Sequence, residues 1–205
     1  MNQNTILIAV IALLIGGIGG YVIADKDDYG MKGMDHSVMM SDDKKSDARP
    51  MGDMMGMDHS AMMVSSEHEF VAGMIPHHQE AVDTAKEVLE RGGSTPEIRT
   101  LAEDIIAAQE TEIAMLKQWH LDWYGEEYKV DGSYQPMMRD LSQLSGVGLD
   151  KRFLEDMIPH HMGAIMMAQS VRPHIEHQEI TDMADAIMET QTAEIELMRN
   201  LLQSL

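Results

Sequence analysis

Cysteine is absent from all 205 residues, which excludes a disulfide framework, a thiolate metal site and a cysteine nucleophile. Aromatic residues are scarce at 4%, with 2 Phe and 2 Trp, so other side chains must fill any core. Positive charge is also thin: 15 Lys and Arg stand against 35 Asp and Glu, for a net charge of -20 at neutral pH. Phosphate-binding surfaces need clustered Lys and Arg, and no long basic run occurs, so nucleic acid is not an expected partner. The acidity suits a soluble, cation-tolerant surface. No nucleophile with a base, no phosphate-binding glycine loop and no paired general acid/base motif is found, so the chain is not expected to be an enzyme.

Methionine is abundant where cysteine is missing, with 22 residues. Met packs adaptably and fills part of an aromatic-poor core. Ten of the methionines, however, lie between Met31 and Met63, in a stretch of Gly, Asp, Ser, Lys and Met without a sustained apolar period. Core packing explains those poorly.

The chain opens with an uncharged run from Ile6 to Ala24, closed by Asp25-Lys26-Asp27-Asp28. It is about long enough to span a bilayer as a helix, and Val22-Ile23-Ala24 would also serve as a small-residue cleavage site. Residues 1–24 are therefore read as a signal or membrane anchor, and the remainder as exported: periplasmic or extracytoplasmic, anchored through the N-terminal helix if uncleaved and secreted otherwise. Residues 25–65 read as a flexible linker with its own repeat. Gly33-Met34-Asp35-His36-Ser37-Val38-Met39-Met40 recurs as Gly56-Met57-Asp58-His59-Ser60-Ala61-Met62-Met63. Each copy offers one imidazole and three thioethers, which suits a Cu(I) ion exchanged between partners. The candidate linker ligands are Met34, His36, Met39, Met40, Met57, His59, Met62 and Met63.

From residue 66 the pattern is helical. Ser66-x-x-Glu69 resembles a capping box, and Phe70, Met74, His77, His78, Ala81, Val82 and Ala85 recur at three- and four-residue steps. Gly92-Gly93 ends that helix, and Thr95-Pro96 opens the next as N-cap and first helical residue. The segment 121–149 is irregular and glycine-containing, with a short helix expected from Pro136 to Leu144. After it the pattern repeats: Phe153, Met157, His160, His161, Ala164, Ile165 and Ala168 align with the first set at a fixed offset. Ala184, Ile187, Gln191, Glu194 and Ile195 likewise align with Ala102, Ile105, Gln109, Glu112 and Ile113. A helical hairpin used twice, in 66–120 and 150–205, predicts an all-α, ferritin-like four-helix bundle over 66–205.

The doubled element with the most chemistry is Met74-Ile75-Pro76-His77-His78 and Met157-Ile158-Pro159-His160-His161. Ferritin-like oxygen enzymes hold iron with Glu-x-x-His motifs, whereas here Met74 and Met157 stand three residues before His77 and His160. Thioether in place of carboxylate favours a soft monovalent ion, Cu(I) or Ag(I). Met166 and Met167 extend the second copy, where the first has Asp83 and Thr84, so the second half is expected to be the richer site. The alternative is that the histidines bond to Gln109, Glu112, Gln191 and Glu194 and fix register in the bundle. His174-x-x-His177 is read as a solvated pair, and His68 and His120 as surface or packing residues.

The string Phe70-Val71-Ala72-Gly73-Met74-Ile75-Pro76-His77-His78-Gln79-Glu80-Ala81-Val82, followed by Leu101-Ala102-Glu103-Asp104-Ile105-Ile106, Gln109, Glu112-Ile113 and Trp119, closely resembles the signature of the domain of unknown function 305 family. The resemblance spans about Ser65 to Leu205 in two copies. It implies an exported ferritin-like helical protein, and its methionine-rich, CopM-like group implies copper binding and copper tolerance, with the His-His helices and nearby methionines carrying metal. The expected function is sequestration or carriage of Cu(I), and of Ag(I), with copper-transport proteins as candidate partners. The competing expectations are a ferritin-like metalloenzyme acting on oxygen species and a stress-related helical scaffold that binds no metal.

Overall fold

The computed structural model describes residues 62–205. The apolar segment 1–24 and all of the linker before its last four residues lie outside the described residues, as do the expectations that rest on them. Four helices follow in order: α1 Glu67–Arg91, α2 Pro96–Tyr124, α3 Gly146–Val171 and α4 Gln178–Ser204, with a single 3-10 turn, Arg172–His174, between α3 and α4. No strand occurs among the described residues.

The local signals act as the sequence predicts. Ser66 caps α1 by accepting from the Glu69 amide at 3.1 Å, while the Glu69 carboxylate takes the Ser65 amide at 2.7 Å, one residue earlier than a standard capping box. Gly92 ends α1, and Gly93 turns the chain at φ 64°, a value that favours glycine. Thr95 caps α2 with Pro96 in its first turn. Helix α2 runs past the expected break at Leu121 to Tyr124, where Gly125 closes it in the left-handed conformation at φ 78°. Both α1 and α3 continue unbroken through their internal prolines, Pro76 and Pro159.

Each hairpin packs on itself, α1 on α2 and α3 on α4, and the hairpins meet chiefly along α1 and α3. The apolar core forms two layers. One joins the C-terminal half of α1 and the N-terminal half of α2 with Phe153, Leu154 and Met157 of α3 and Met198 and Leu201 of α4. The other joins Phe70, Val71 and Met74 of α1 with Leu116 of α2, Met167 and Val171 of α3 and Ile180 and Ile187 of α4. Phe70 and Phe153, equivalent in the repeat, are both fully buried, each one anchoring its own layer. Between the layers lies a belt of buried polar side chains: His77, His78, Gln109, Glu112, His160, His161, Gln191 and Glu194.

The expected helix from Pro136 to Leu144 is not formed; the segment is an extended strap with a turn at Ser142 and Gln143. Its amide groups are taken by carboxylates of the bundle instead of by a helical ladder. Glu80 accepts from the Met137 and Met138 amides at 2.9 Å each, and Asp156 accepts from the Arg139 amide at 3.1 Å. Arg91 ties the far end by donating to the carbonyls of Leu141 and Leu144. Asp150, fully buried, accepts from the amides of Gly93 and Ser94 and so fixes the α1–α2 turn to the start of α3. None of the described helices is long and apolar enough to cross a membrane.

Candidate metal centre

The polar belt is built by spacing. His77 and His78 are adjacent on α1, so they diverge by about 100° around the helix and serve different neighbours. The second histidine of each pair faces its own hairpin: His78 Nε2 lies 2.8 Å from Glu112 Oε2, and His161 Nε2 lies 2.6 Å from Glu194 Oε2. Only the His161 contact is aligned as a hydrogen bond. The hydrogen bond of the register-fixing reading is formed at His161, to Glu194 rather than Gln191, while His78 has its Glu nearby without an aligned hydrogen bond. The Oε1 atoms of Gln109 and Gln191 are buried without a partner.

The first histidine of each pair faces the other hairpin. The rings of His77 and His160 pack with centroids 3.8 Å apart, tilted 35°. Here the repeat breaks. His160 Nε2 lies 3.3 Å from Glu80 Oε2. At the repeat-equivalent position of Glu80 the second half has Gly163, and among the described residues no carboxylate pairs with His77. A side chain begun at Gly163 would start 3.1 Å from His77 Nε2, 3.4 Å from Met62 Sδ and 3.5 Å from Met137 Cε. The glycine thus leaves a slot into which one imidazole and two methionines converge.

Burial, and after it the neighbouring imidazoles of His160, His78 and His161, hold the His77 imidazole well below its ordinary 6.5. Burial also lowers His160, against the opposing pull of Glu80. Neutral imidazole is the ligand form. Among the described residues neither His77 ring nitrogen has a hydrogen-bond partner, as is also true of His78 and His160, and a buried polar group left unpaired costs about 1–3 kcal/mol. Burial alone would raise the Glu80 carboxyl. Hydrogen bonds from His160, Tyr134 and the Met138 and Met137 amides outweigh it and hold the group at about 2.

His77 opens on a cavity of about 550 Å³ lined also by Met62, Met63, Met167, Tyr134, His68 and His120. Among the described residues, no three His, Asp or Glu side chains converge as a metal-ligand group. The carboxylate-rich set of an iron ferritin is therefore not present in them, and the donors that do gather are imidazole and thioether, the set suited to a soft ion.

The structure brings together only part of the expected ligand set. His77, Met62, Met63 and Met167 share the cavity. Met74 and Met157 are fully buried in separate apolar layers, and Met166 is half-buried on α3. His78, His160 and His161 each have a carboxylate neighbour. Met34, His36, Met39, Met40, Met57 and His59 lie outside the described residues. His177, expected to be solvated, instead bonds Glu67 and stacks on Trp123 with centroids 3.8 Å apart. Glu80, Met137 and Gly163 were not singled out from sequence. Glu80 against Gly163 is visible in the repeat alignment itself; Met137 has no such signal, because it comes from the strap.

No curated protein matches the sequence. Among solved structures, CopM in its Cu(I)-bound form is 33% identical, with a TM-score of 0.63 over 69% of this chain and 98% of that one. CopM in an Ag-bound form obtained by co-crystallization is 32% identical, with a TM-score of 0.62 over the same shares. A candidate secreted DUF305 protein from Streptomyces coelicolor is 28% identical, with a TM-score of 0.59 over 66% of this chain and 90% of that one. The duplicated His-His hairpin, its burial across the middle of a four-helix bundle and the match of residues 24–119 and again 67–202 to the domain of unknown function DUF305 together show that the chain belongs to the DUF305 family.

Proposed function

We propose that this chain is an exported copper-binding protein that sequesters or carries Cu(I), and Ag(I) as an ion of the same softness, and so contributes to copper tolerance. The observation that carries the reading is His77: its two nitrogens are buried, without a hydrogen-bond partner and, unlike those of His78, His160 and His161, without a paired carboxylate among the described residues, beside Met62 and Met137 in the slot left by Gly163. The imidazole and the Met62 thioether, with Met137 and Met167 at hand, supply the donors a soft monovalent ion prefers. The Cu(I)- and Ag-bound forms of CopM, at about a third identity, support the same choice of ion.

In this reading the bundle retains the ion and the linker motifs around His36 and His59 capture it, with Met62 belonging to both. Copper-transport proteins are the partners that would load or unload the linker. The acidic surface repels anions and tolerates cations. Export follows from the N-terminal apolar run and is supported by the secreted character assigned to the Streptomyces coelicolor relative. A binding role is the reading that the imidazole and thioether donors around His77 support.

Anaerobic competition between the full chain and a Cu(I) chelator tests the proposal. The chain should withdraw Cu(I) from the chelator, and His77→Ala should weaken the bundle component at least tenfold. A full chain that fails to compete ends the reading, and iron or manganese in the freshly isolated protein, with turnover of an oxygen species, would replace it.

A further inference from the structure

At the open side of the same cavity sit two histidines that the soft-ion site does not use. His68 is exposed in the first turn of α1, and His120 is 5% exposed near the end of α2. Their ring centroids are 5.3 Å apart at a tilt of 44°, and both rings line the cavity. Two imidazole nitrogens each about 2.0–2.1 Å from one ion require rings at about this separation.

The orientation of His120 is fixed from behind. Its Nδ1 lies 2.8 Å from the Glu126 carbonyl oxygen, which can only accept, so Nδ1 carries the proton and Nε2 is the lone-pair nitrogen of the neutral ring. Histidines that bind metal are typically held in this way, by a carbonyl or carboxylate on the other nitrogen. Tyr124 stands edge-on to both rings, 4.4 Å from His68 and 5.5 Å from His120, and Tyr128 is edge-on to His120 at 5.7 Å. Burial, and then Glu67 and Glu176, push the Tyr124 hydroxyl up to about 12, so it clamps the rings as a neutral phenol. Among the residues that line the cavity, Glu69, Glu126, Glu127 and Asp131 outnumber Lys129, a charge balance that draws cations.

We propose that His68 and His120 form a second cation site at the rim of the cavity, taking a borderline divalent ion of the Cu(II) or Zn(II) class with water completing its coordination. Paired imidazoles beside carboxylates suit such an ion, in contrast to the thioether-rich interior. The assignment does not rest on the Cu(I) reading, because the ligands and the ion both differ.

One equivalent of Cu(II) alone, added to the full chain and followed by pulsed EPR, counts the coordinated imidazoles. Two are expected in the native chain and one in His68→Ala or His120→Gln, with affinity for Cu(II) at least tenfold weaker in each. His77→Ala should leave both the count and the affinity unchanged while losing Cu(I) competition. Two imidazoles remaining in His68→Ala overturns the site, as does loss of one in His77→Ala, His36→Ala or His59→Ala. His120 is buried, so the exposed His68 decides the matter if His120→Gln fails to fold.

Discussion

The two halves of the bundle are built alike and equipped differently. Phe70 and Phe153, Met74 and Met157, and His78–Glu112 and His161–Glu194 occupy matching places, so packing and register treat the repeats as equals. At one position they diverge: Glu80 of the first half meets His160 of the second, and Gly163 of the second half leaves His77 of the first bare. The carboxylate satisfies one imidazole and pins the strap; the glycine exposes the other imidazole to sulfur. A duplicated scaffold thus gives one of two cross-packed imidazoles a carboxylate and leaves the other without one among the described residues. The sequence expectation favoured the second half as the richer site because Met166 and Met167 are there. In space the imidazole that pairs with no carboxylate of the described residues is His77, and Met167 reaches the same cavity from the opposite hairpin.

The largest expected effects test the symmetry. Phe70→Ala and Phe153→Ala should each cost about 3–5 kcal/mol in chemical denaturation, and by similar amounts, since both rings are fully buried. A difference of several kcal/mol between them would show that the layers are not equivalent. Glu80→Ala should cost about 3 kcal/mol by stripping a hydrogen-bonded charge from His160, Tyr134 and the strap. Its repeat partner should behave otherwise. Gly163→Ala is expected to leave stability within about 1 kcal/mol and to weaken Cu(I) competition roughly tenfold, about 1.4 kcal/mol, by closing the slot; Gly163→Glu should abolish the bundle site by giving His77 a carboxylate. Unchanged Cu(I) competition in both variants would remove Gly163 from the argument.

Acid should expose the same difference. The Glu80 carboxyl sits at about 2 in the fold against an ordinary 4.5, so its stabilisation is complete above about 4.5 and is lost as pH falls towards 2. The His77 imidazole lies below its ordinary 6.5, so the unfolded chain takes that proton first and stability also declines as pH drops through 6.5. Denaturation of Glu80→Gln across this range should keep the upper decline and lose much of the lower one. The smallest effect concerns the helix starts. Ser66 caps α1 with a side-chain bond while Ser145 makes none at α3, so Ser66→Ala should cost about 1 kcal/mol and Ser145→Ala close to nothing in thermal melts.

Helix boundaries were legible because their signals are local: Ser66, Gly92-Gly93 and Thr95-Pro96 act through bonds within a few residues. The strap was not, because Met137, Met138 and Arg139 give their amides to Glu80 and Asp156, far away in sequence, and no local pattern reports that. Part of the site was legible as well. Composition and repetition single out imidazole and thioether as the candidate donors but favour the second copy over His77, while Met74 sits at helical spacing from His77 yet is buried in an apolar layer. Spacing puts residues on one side of a helix without saying whether that side meets a cavity or a packed neighbour.

By itself the sequence determined a duplicated helical hairpin, a supply of imidazole and thioether side chains, and the exclusion of thiolate, because composition, periodicity and caps act one residue or one turn at a time. Only the tertiary structure decided which of the four paired-motif histidines meets no carboxylate of the described residues. That outcome depends on two helices crossing so that Glu80 reaches His160 and Gly163 lies opposite His77, and on a strap and a linker end, Met137 and Met62, delivered to the same point from distant parts of the chain.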